Sequence, residues 1–246
     1  MSFLREPERK IEITHSCDVL VAGGGIAGIA AAIAAARNGK RVTLLEREYA
    51  LGGMATLGLV TIYLPLCDGE GNQVVFGLGE ELLKLSIEHG AEANYPKAWL
   101  EGGTLEERIK SRYITQFNPH LFALRVEKLL GELGVTILYG TLAAGVERDG
   151  DRITHVIVEN KSGRSAIEVK SVIDATGDAD VCALAGAKTV LHTGGSGLAS
   201  WYYFYAGGQV SLKMFGLADI APGIPMPPDA SIKPGAKSPY AADMTA

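Results

Sequence analysis

The sequence predicts an α/β fold, a doubly wound parallel sheet with an inserted β-meander. Three observations predict it. A short apolar run breaks into clustered glycines and then a long Ala/Ile segment, a second apolar run follows directly, and a later stretch of strand-forming residues is cut by Asp-Gly and Lys-Ser-Gly. The first two together are the pattern of a strand, a crossover helix and a parallel strand. The third is the pattern of antiparallel strands joined by tight turns.

The elements follow in order. Residues 18–22 (DVLVA) suit a strand buried on both faces. Glycines interrupt it at 23–25, and residues 26–38 read as a helix of strong propensity, with Gly39 where a left-handed residue closes it. Residues 41–46 (RVTLLE) read as the second strand of one right-handed βαβ unit. Residues 79–89 read as a helix ended by Gly90, and between 94 and 116 the pattern assigns no element. Asn118-Pro119 supplies an N-cap and a proline at the first helical position, opening a helix to residue 133 that Gly134 ends. Residues 135–139 (VTILY) are the next strand. The meander spans 141–170, with turns at Asp149-Gly150 and Lys161-Ser162-Gly163. Residues 171–174 (SVID) then run into Ala175-Thr176-Gly177 and a short helix over 179–184.

Composition excludes several function classes. With 23 Lys+Arg against 28 Asp+Glu, the net charge of −5 argues against a nucleic-acid binder or a polybasic membrane-surface protein. The 3 cysteines, Cys17, Cys67 and Cys182, form no C-x-x-C pair and suit neither a disulfide scaffold nor a zinc ribbon. The His residues share no metal-ligand spacing, so no metal site is expected. The opening MSFLREPERK lacks the apolar stretch of a secretory signal, and the apolar window 19–36 parses as strand, turn and helix rather than a membrane span. A cytoplasmic location is expected. The 31 glycines in 246 residues, close to twice the ordinary share of roughly 7%, need a cause.

The motifs supply one. Gly23-Gly24-Gly25-Ile26-Ala27-Gly28 is a G-x-G-x-x-G between a strand and a helix. Gly23 allows the tight turn, Gly25 lets backbone approach a pyrophosphate, and Gly28 lets helix and strand pack closely. The helix N-terminus offers N–H groups and partial positive charge to a diphosphate. Glu46, at the end of the next strand, is suited to accept hydrogen bonds from adenosine ribose hydroxyls and would repel a 2′-phosphate. The motif alone leaves NAD and FAD open. Leu51-Gly52-Gly53-Met54-Ala55-Thr56 follows at once, where a simple nicotinamide dehydrogenase would proceed to another helix; its glycine pair lets backbone lie against a flat ring or a second face of the diphosphate.

The ordered set GGGIAG, LLER, LGGMAT, a β-meander and VIDATGDADV resembles the FAD-dependent oxidoreductases of the fumarate-reductase/glutathione-reductase-like superfamily, over roughly residues 18–187. The resemblance implies that Gly23, Gly25, Ile26, Ala27 and Gly28 hold the FAD diphosphate, and that Glu46 binds the ribose with Arg47 beside it. It implies that Gly52, Gly53, Met54, Ala55 and Thr56 run along the ribityl and flavin, that backbone near Ala143 meets adenine, and that Ala175, Thr176 and Gly177 close on the cofactor. Such enzymes return to the FAD domain after a substrate domain, and residues 188–246 offer no returning segment. The expected organisation is therefore an FAD-binding domain over 1–187, with 57–117 as an irregular insertion. Residues 188–246 are then an incomplete start of a substrate or cap domain with a proline-rich tail, and a second chain or another copy could complete the site. No second G-x-G-x-x-G is present, which disfavours a pyridine-nucleotide-disulfide reductase architecture.

The expected activity is hydride transfer between a small organic substrate and flavin N5. Two alternatives stand beside it: an FAD-binding half or subunit that is inactive alone, and an NAD-binding dehydrogenase fragment. No catalytic acid or base is singled out. Five consecutive aromatics, Trp201 to Tyr205, read first as a buried or interface strand and second as a substrate-side wall. Cys67 reads as a structural thiol. His192, Tyr202 and Tyr205 are lesser candidates for touching substrate.

Overall fold

The computed structural model describes residues 8–190, 201–206 and 209–214. The chain divides into two compact units, Met1–Thr189 and Val190–Ala246.

In the first unit, β1 (Ile13–Ala22) leads into α1 (Ile26–Arg37) and β2 (Val42–Leu45). A 3-10 turn (Gly53–Ala55) and the short β3 (Ile62–Tyr63) precede α2 (Leu78–Ser86), α3 (Lys97–Leu100), α4 (Leu105–Ser111) and β4 (Thr115–Gln116), which pairs with β3. Then come α5 (Pro119–Glu132), β5 (Thr136–Leu138), the meander strands β6 (Leu142–Asp149), β7 (Arg152–Asn160) and β8 (Gly163–Asp174), and α6 (Asp180–Leu184).

The main sheet has the order β5-β2-β1-β8-β7-β6. Its first four strands are parallel, and the meander strands pair antiparallel from β8 outwards. The expected βαβ unit is present, with Val19 opposite Val42 and Ala22 opposite Leu45. Because Ala22 also lies opposite Asp174, and Leu45 opposite Leu138, four strands end in register at one edge. In open α/β sheets, ligands bind outside that carboxyl edge.

Two cores lie on the two faces of the sheet. On one, Val21 and Leu44 pack with Ile29 and Ile33 of α1, Leu82 and Leu83 of α2, and Phe122, Val126 and Leu130 of α5. On the other, Leu20, Ala22 and Leu45 pack with Val156, Val158 and Ile167 of the meander and Val181 of α6. Each large side chain fully removed from water contributes about 1.5–3 kcal/mol, which fixes the faces and hence the register. The N-cap read at Asn118 is formed: its Oδ1 accepts from the His120 and Leu121 amides at 3.1 Å.

Three differences from the sequence reading have physical causes. β1 starts at Ile13 because its first half pairs with the meander strand β8, Ile13 lying opposite Ala166, although its side chains there are exposed and carry no pattern. Residues 171–174 are not a separate strand. They continue β8, which serves β7 along one edge and β1 along the other. The segment 94–116 is not without elements: it holds α3, α4 and β4. The overlooked signal is a capping box, in which the Glu107 amide donates to Thr104 Oγ1 and the Thr104 amide to Glu107 Oε2.

In the second unit, β9 (Trp201–Ala206) and β10 (Gln209–Met214) form an antiparallel hairpin, with Trp201 opposite Met214. The five aromatics therefore lie on a strand. The proline-rich tail from 221, the Gly194–Gly197 run and His192 lie outside the described residues.

Candidate functional site

Three turns meet at the carboxyl edge of the sheet. The first joins β1 to α1. Gly23 has φ +104°, and a Cβ on it would lie 2.3 Å from the Ala175 carbonyl oxygen. A Cβ on Gly28 would lie 1.8 Å from the Gly23 carbonyl oxygen. Both glycines are therefore required by packing inside the protein. Gly25 is different. Its φ of −69° suits any residue, and a Cβ on it would meet nothing within 4 Å. Its bare Cα faces open space at the N-terminus of α1, where no side chain caps the helix and the first turn holds no acidic residue. The first N–H groups of a helix have no partner within it, so an anion can be received there.

The second turn docks on the first. The Gly52 amide donates to the Gly24 carbonyl at 2.8 Å, and Gly25 and Gly52 form a parallel bridge. A Cβ on Gly53 would approach Gly25 Cα to 3.2 Å, so this glycine pair brings two loops together as well as lying open to a ligand. Leu51 anchors the turn in the core, and Thr56 Oγ1 donates to the Leu51 carbonyl at 2.6 Å. Met54 and Leu57 are left exposed.

Glu46, at the end of β2, is buried with its carboxylate held by backbone. Oε2 accepts from the Gly24 amide and Oε1 from the Glu48 amide, each at 2.8 Å. The third turn follows β8. The Ala175 amide donates to the Ala22 carbonyl at 2.8 Å, and Gly177 at φ +90° turns the chain towards α6.

These turns and the start of β6 enclose a cleft of about 960 Å³, within the size range of ligand pockets. Of the residues named from sequence, Gly23, Gly25, Ile26, Ala27, Glu46, Arg47, Gly52, Gly53, Met54, Ala143, Ala175, Thr176 and Gly177 line it. Gly28 does not: it is buried between helix and strand. Ala55 and Thr56 do not either, because they face the core beneath their turn. Sequence reasoning missed Ala22, Leu45, Glu48, Leu57, Gly58, Thr141, Leu142, Asp178 and Asp180, which also line the cleft. For Thr141 the signal is its place one residue before the meander strand; its amide donates to the Glu46 carbonyl at 3.0 Å.

The charges are uneven. Among the described residues, Arg47 is the one cationic side chain lining the cleft and lies 3.8 Å from Glu48, while Glu46, Glu48, Asp178 and Asp180 are acidic. Positive potential in the cleft therefore comes from the N-terminus of α1 and from Arg47, which Glu48 partly offsets. An elongated ligand with one diphosphate and hydroxyl-rich flanks fits this chemistry. The uncapped helix end has free N–H groups suited to an anion, the Glu46 carboxylate has lone pairs left for hydroxyl donors, and Met54, Leu57 and Leu142 give apolar walls.

A model of the FAD dependent oxidoreductase family matches residues 18–221. The chain belongs to that family. FAD is accordingly its cofactor. The chain is 27% identical over 181 residues to digeranylgeranylglycerophospholipid reductase of Methanocaldococcus jannaschii, covering 72% of this chain and 42% of that protein. It is also 27% identical over 191 residues to L-aspartate oxidase of Mycobacterium tuberculosis, covering 66% of this chain and 35% of the relative. It thus spans less than half the length of either. Among solved structures, L-proline dehydrogenase from P. horikoshii superposes with a TM-score of 0.52 at 18% identity, over 77% of this chain and 59% of that one, and shows the same fold.

Cys67 is buried away from the cleft, its thiol donating to the Arg112 carbonyl at 3.2 Å. His155 lines a separate hollow of about 450 Å³ on the meander, with Arg9 and Arg164. The side chains of Tyr202 and Tyr205 lie outside what is described. Among the described residues no group of three His, Cys, Asp or Glu could hold a metal, and no helix is long and apolar enough to cross a membrane.

Proposed function

We propose that the chain binds FAD along this cleft and serves hydride transfer between a small organic substrate and the flavin. The observation that carries the reading is Gly25, a position whose backbone does not require glycine and whose missing side chain leaves the uncapped end of α1 open. In this reading the Gly25, Ile26 and Ala27 backbone receives the diphosphate and Glu46 receives the ribose hydroxyls, with Arg47 beside them. Gly52, Gly53 and Met54 line the path of the ribityl chain and flavin. Backbone at Thr141, Leu142 and Ala143 meets the adenine, where β6 is an edge strand with half its amides and carbonyls turned away from the ladder. Ala175, Thr176 and Gly177 close the cleft from the β8 side. When bound, FAD supplies the redox chemistry, taking or giving a hydride at N5. The protein's part is to hold it by backbone and to present one face to the substrate. Three free cysteines, Cys17, Cys67 and Cys182, suit a reducing, cytoplasmic setting.

Titration of purified chain with FAD, followed by flavin fluorescence, tests the binding. Saturable quenching is expected, and excess NAD should not displace the bound flavin. Bleaching of the bound flavin by candidate reductants then tests the redox role. A flavin that binds but bleaches only when a second chain is supplied would favour the subunit reading.

A further inference from the structure

Asp174 ends β8 and does not line the cleft, yet its carboxylate organises the turn that does. Oδ1 accepts from the Thr176 amide at 3.2 Å and from Thr176 Oγ1 at 2.7 Å, while Oδ2 accepts from the Cys182 amide at 2.9 Å. Thr176 Oγ1 also accepts from the Asp180 amide at 3.0 Å, which fixes its own proton on Asp174. One carboxylate thus ties the last residue of the sheet, the 175–177 turn and α6 into a single unit. The turn needs such a tie. Ala179, a residue with a side chain, is held at φ +59°, in the left-handed region where neighbouring structure must compensate the strain. The turn also packs closely on the glycine turn, since a Cβ on Gly23 would lie 2.3 Å from the Ala175 carbonyl oxygen.

Burial pushes the Asp174 carboxyl up, but the hydrogen bonds from Cys182 and Thr176 outweigh it and leave the carboxyl below its ordinary range. It is therefore an anion at neutral pH, able to accept these bonds and one from the Cys182 thiol, whose own titration it pushes up.

We propose that Asp174 is a positioning residue for the cofactor: acting through Thr176, it holds the 175–177 turn against the glycine turn at the geometry FAD requires. This rests on the FAD reading of the cleft. Asp174→Asn keeps the shape but turns an NH₂ towards groups that are themselves donors. Thr176→Val removes the linking hydroxyl at constant size, and Thr176→Ser restores it. The measurements are the FAD dissociation constant by fluorescence quenching, the visible spectrum of the bound flavin, and the melting temperature of each FAD-free chain. Asp174→Asn and Thr176→Val should each weaken FAD about tenfold or more, the scale of one lost bond to a charged group. Both should shift the flavin spectrum, and combining them should add little to the larger single effect. Thr176→Ser should stay within about twofold of wild type. If Asp174→Asn does not fold, the two Thr176 variants decide. The proposal is overturned if folded Asp174→Asn or Thr176→Val binds FAD as wild type with an unchanged spectrum, or if Thr176→Ser fails to restore binding. A wild-type chain that binds no FAD overturns the reading of the cleft itself, a result distinct from either.

Discussion

Single atoms separate glycines that shape the protein from one that leaves room for a ligand. Gly28→Ala would drive a methyl to 1.8 Å from the Gly23 carbonyl, so urea denaturation should show a loss of about 1–3 kcal/mol. Gly25→Ala has free space and an ordinary φ. Its melting temperature should stay at the wild-type value while FAD affinity falls at least about tenfold; an affinity equal to wild type would remove Gly25 from the diphosphate site. Glu46 has two tasks, since its carboxylate joins the Gly24 and Glu48 amides as well as lining the cleft. Glu46→Ala leaves two amides without their acceptor, so the FAD-free chain should lose about 2 kcal/mol or more, and FAD should bind more weakly. Unchanged FAD affinity would refute the ribose role. The sequence names Glu46 through the ribose alone. Its structural task depends on where the Gly24 and Glu48 amides come to lie, which only the folded turn determines.

Elements carry the parts of the fold that local chemistry announces. Asn118 and Pro119 mark the start of α5, and replacing Asn118 by Ala should lower stability by about 1 kcal/mol in thermal melts, with no change in FAD affinity because α5 lies away from the cleft. Loss of FAD binding in a folded Asn118→Ala chain would mean that α5 shapes the site. Asp18 links three adjacent strands: its carboxylate meets Lys170 Nζ at 2.7 Å on β8, and accepts from the Arg41 amide at 2.9 Å beside β2. The Lys170 bond, then the Arg41 amide, hold its carboxyl well below the usual carboxylate range. A depressed carboxyl stabilises the fold above its unfolded pKa, and that contribution fades as pH falls towards the folded value. Asp18→Asn should therefore melt below wild type by a constant margin at neutral pH, and the margin should narrow only below about pH 4. A margin that narrows near neutrality would show another group at work. The βαβ unit, α5 and both meander turns were legible because periodicity, caps and turn residues agree there. The segment 94–116 was not, because α3 and α4 are short and poorly patterned, and their order comes from capping at Thr104 and from Trp99 stacked on Tyr113 at 4.9 Å. The joint role of β8 was also hidden, since one strand that completes two ladders looks in sequence like two strands.

At the scale of the whole molecule, the fold brings three distant stretches, around residues 23, 52 and 176, to the aligned ends of four parallel strands. Their order along the chain was readable, and so was the cofactor class they imply. Which residues turn outward was less so: Ala55 and Thr56 face the core, whereas Leu57, Asp178 and Asp180 face the cleft, because loop direction is set by tertiary anchors such as Leu51 and Asp174. With a net charge of −5 and an acidic lining, the proposed diphosphate site at the end of α1 depends on the helix N-terminus more than on side-chain charge. The account as a whole depends on what occupies this cleft. Denaturing the purified chain and identifying the released small molecule by absorbance and mass tests it most directly. FAD released in proportion to protein is the predicted result; recovery of NAD, or of no nucleotide even after incubation with excess FAD and with a complementing chain, would contradict it.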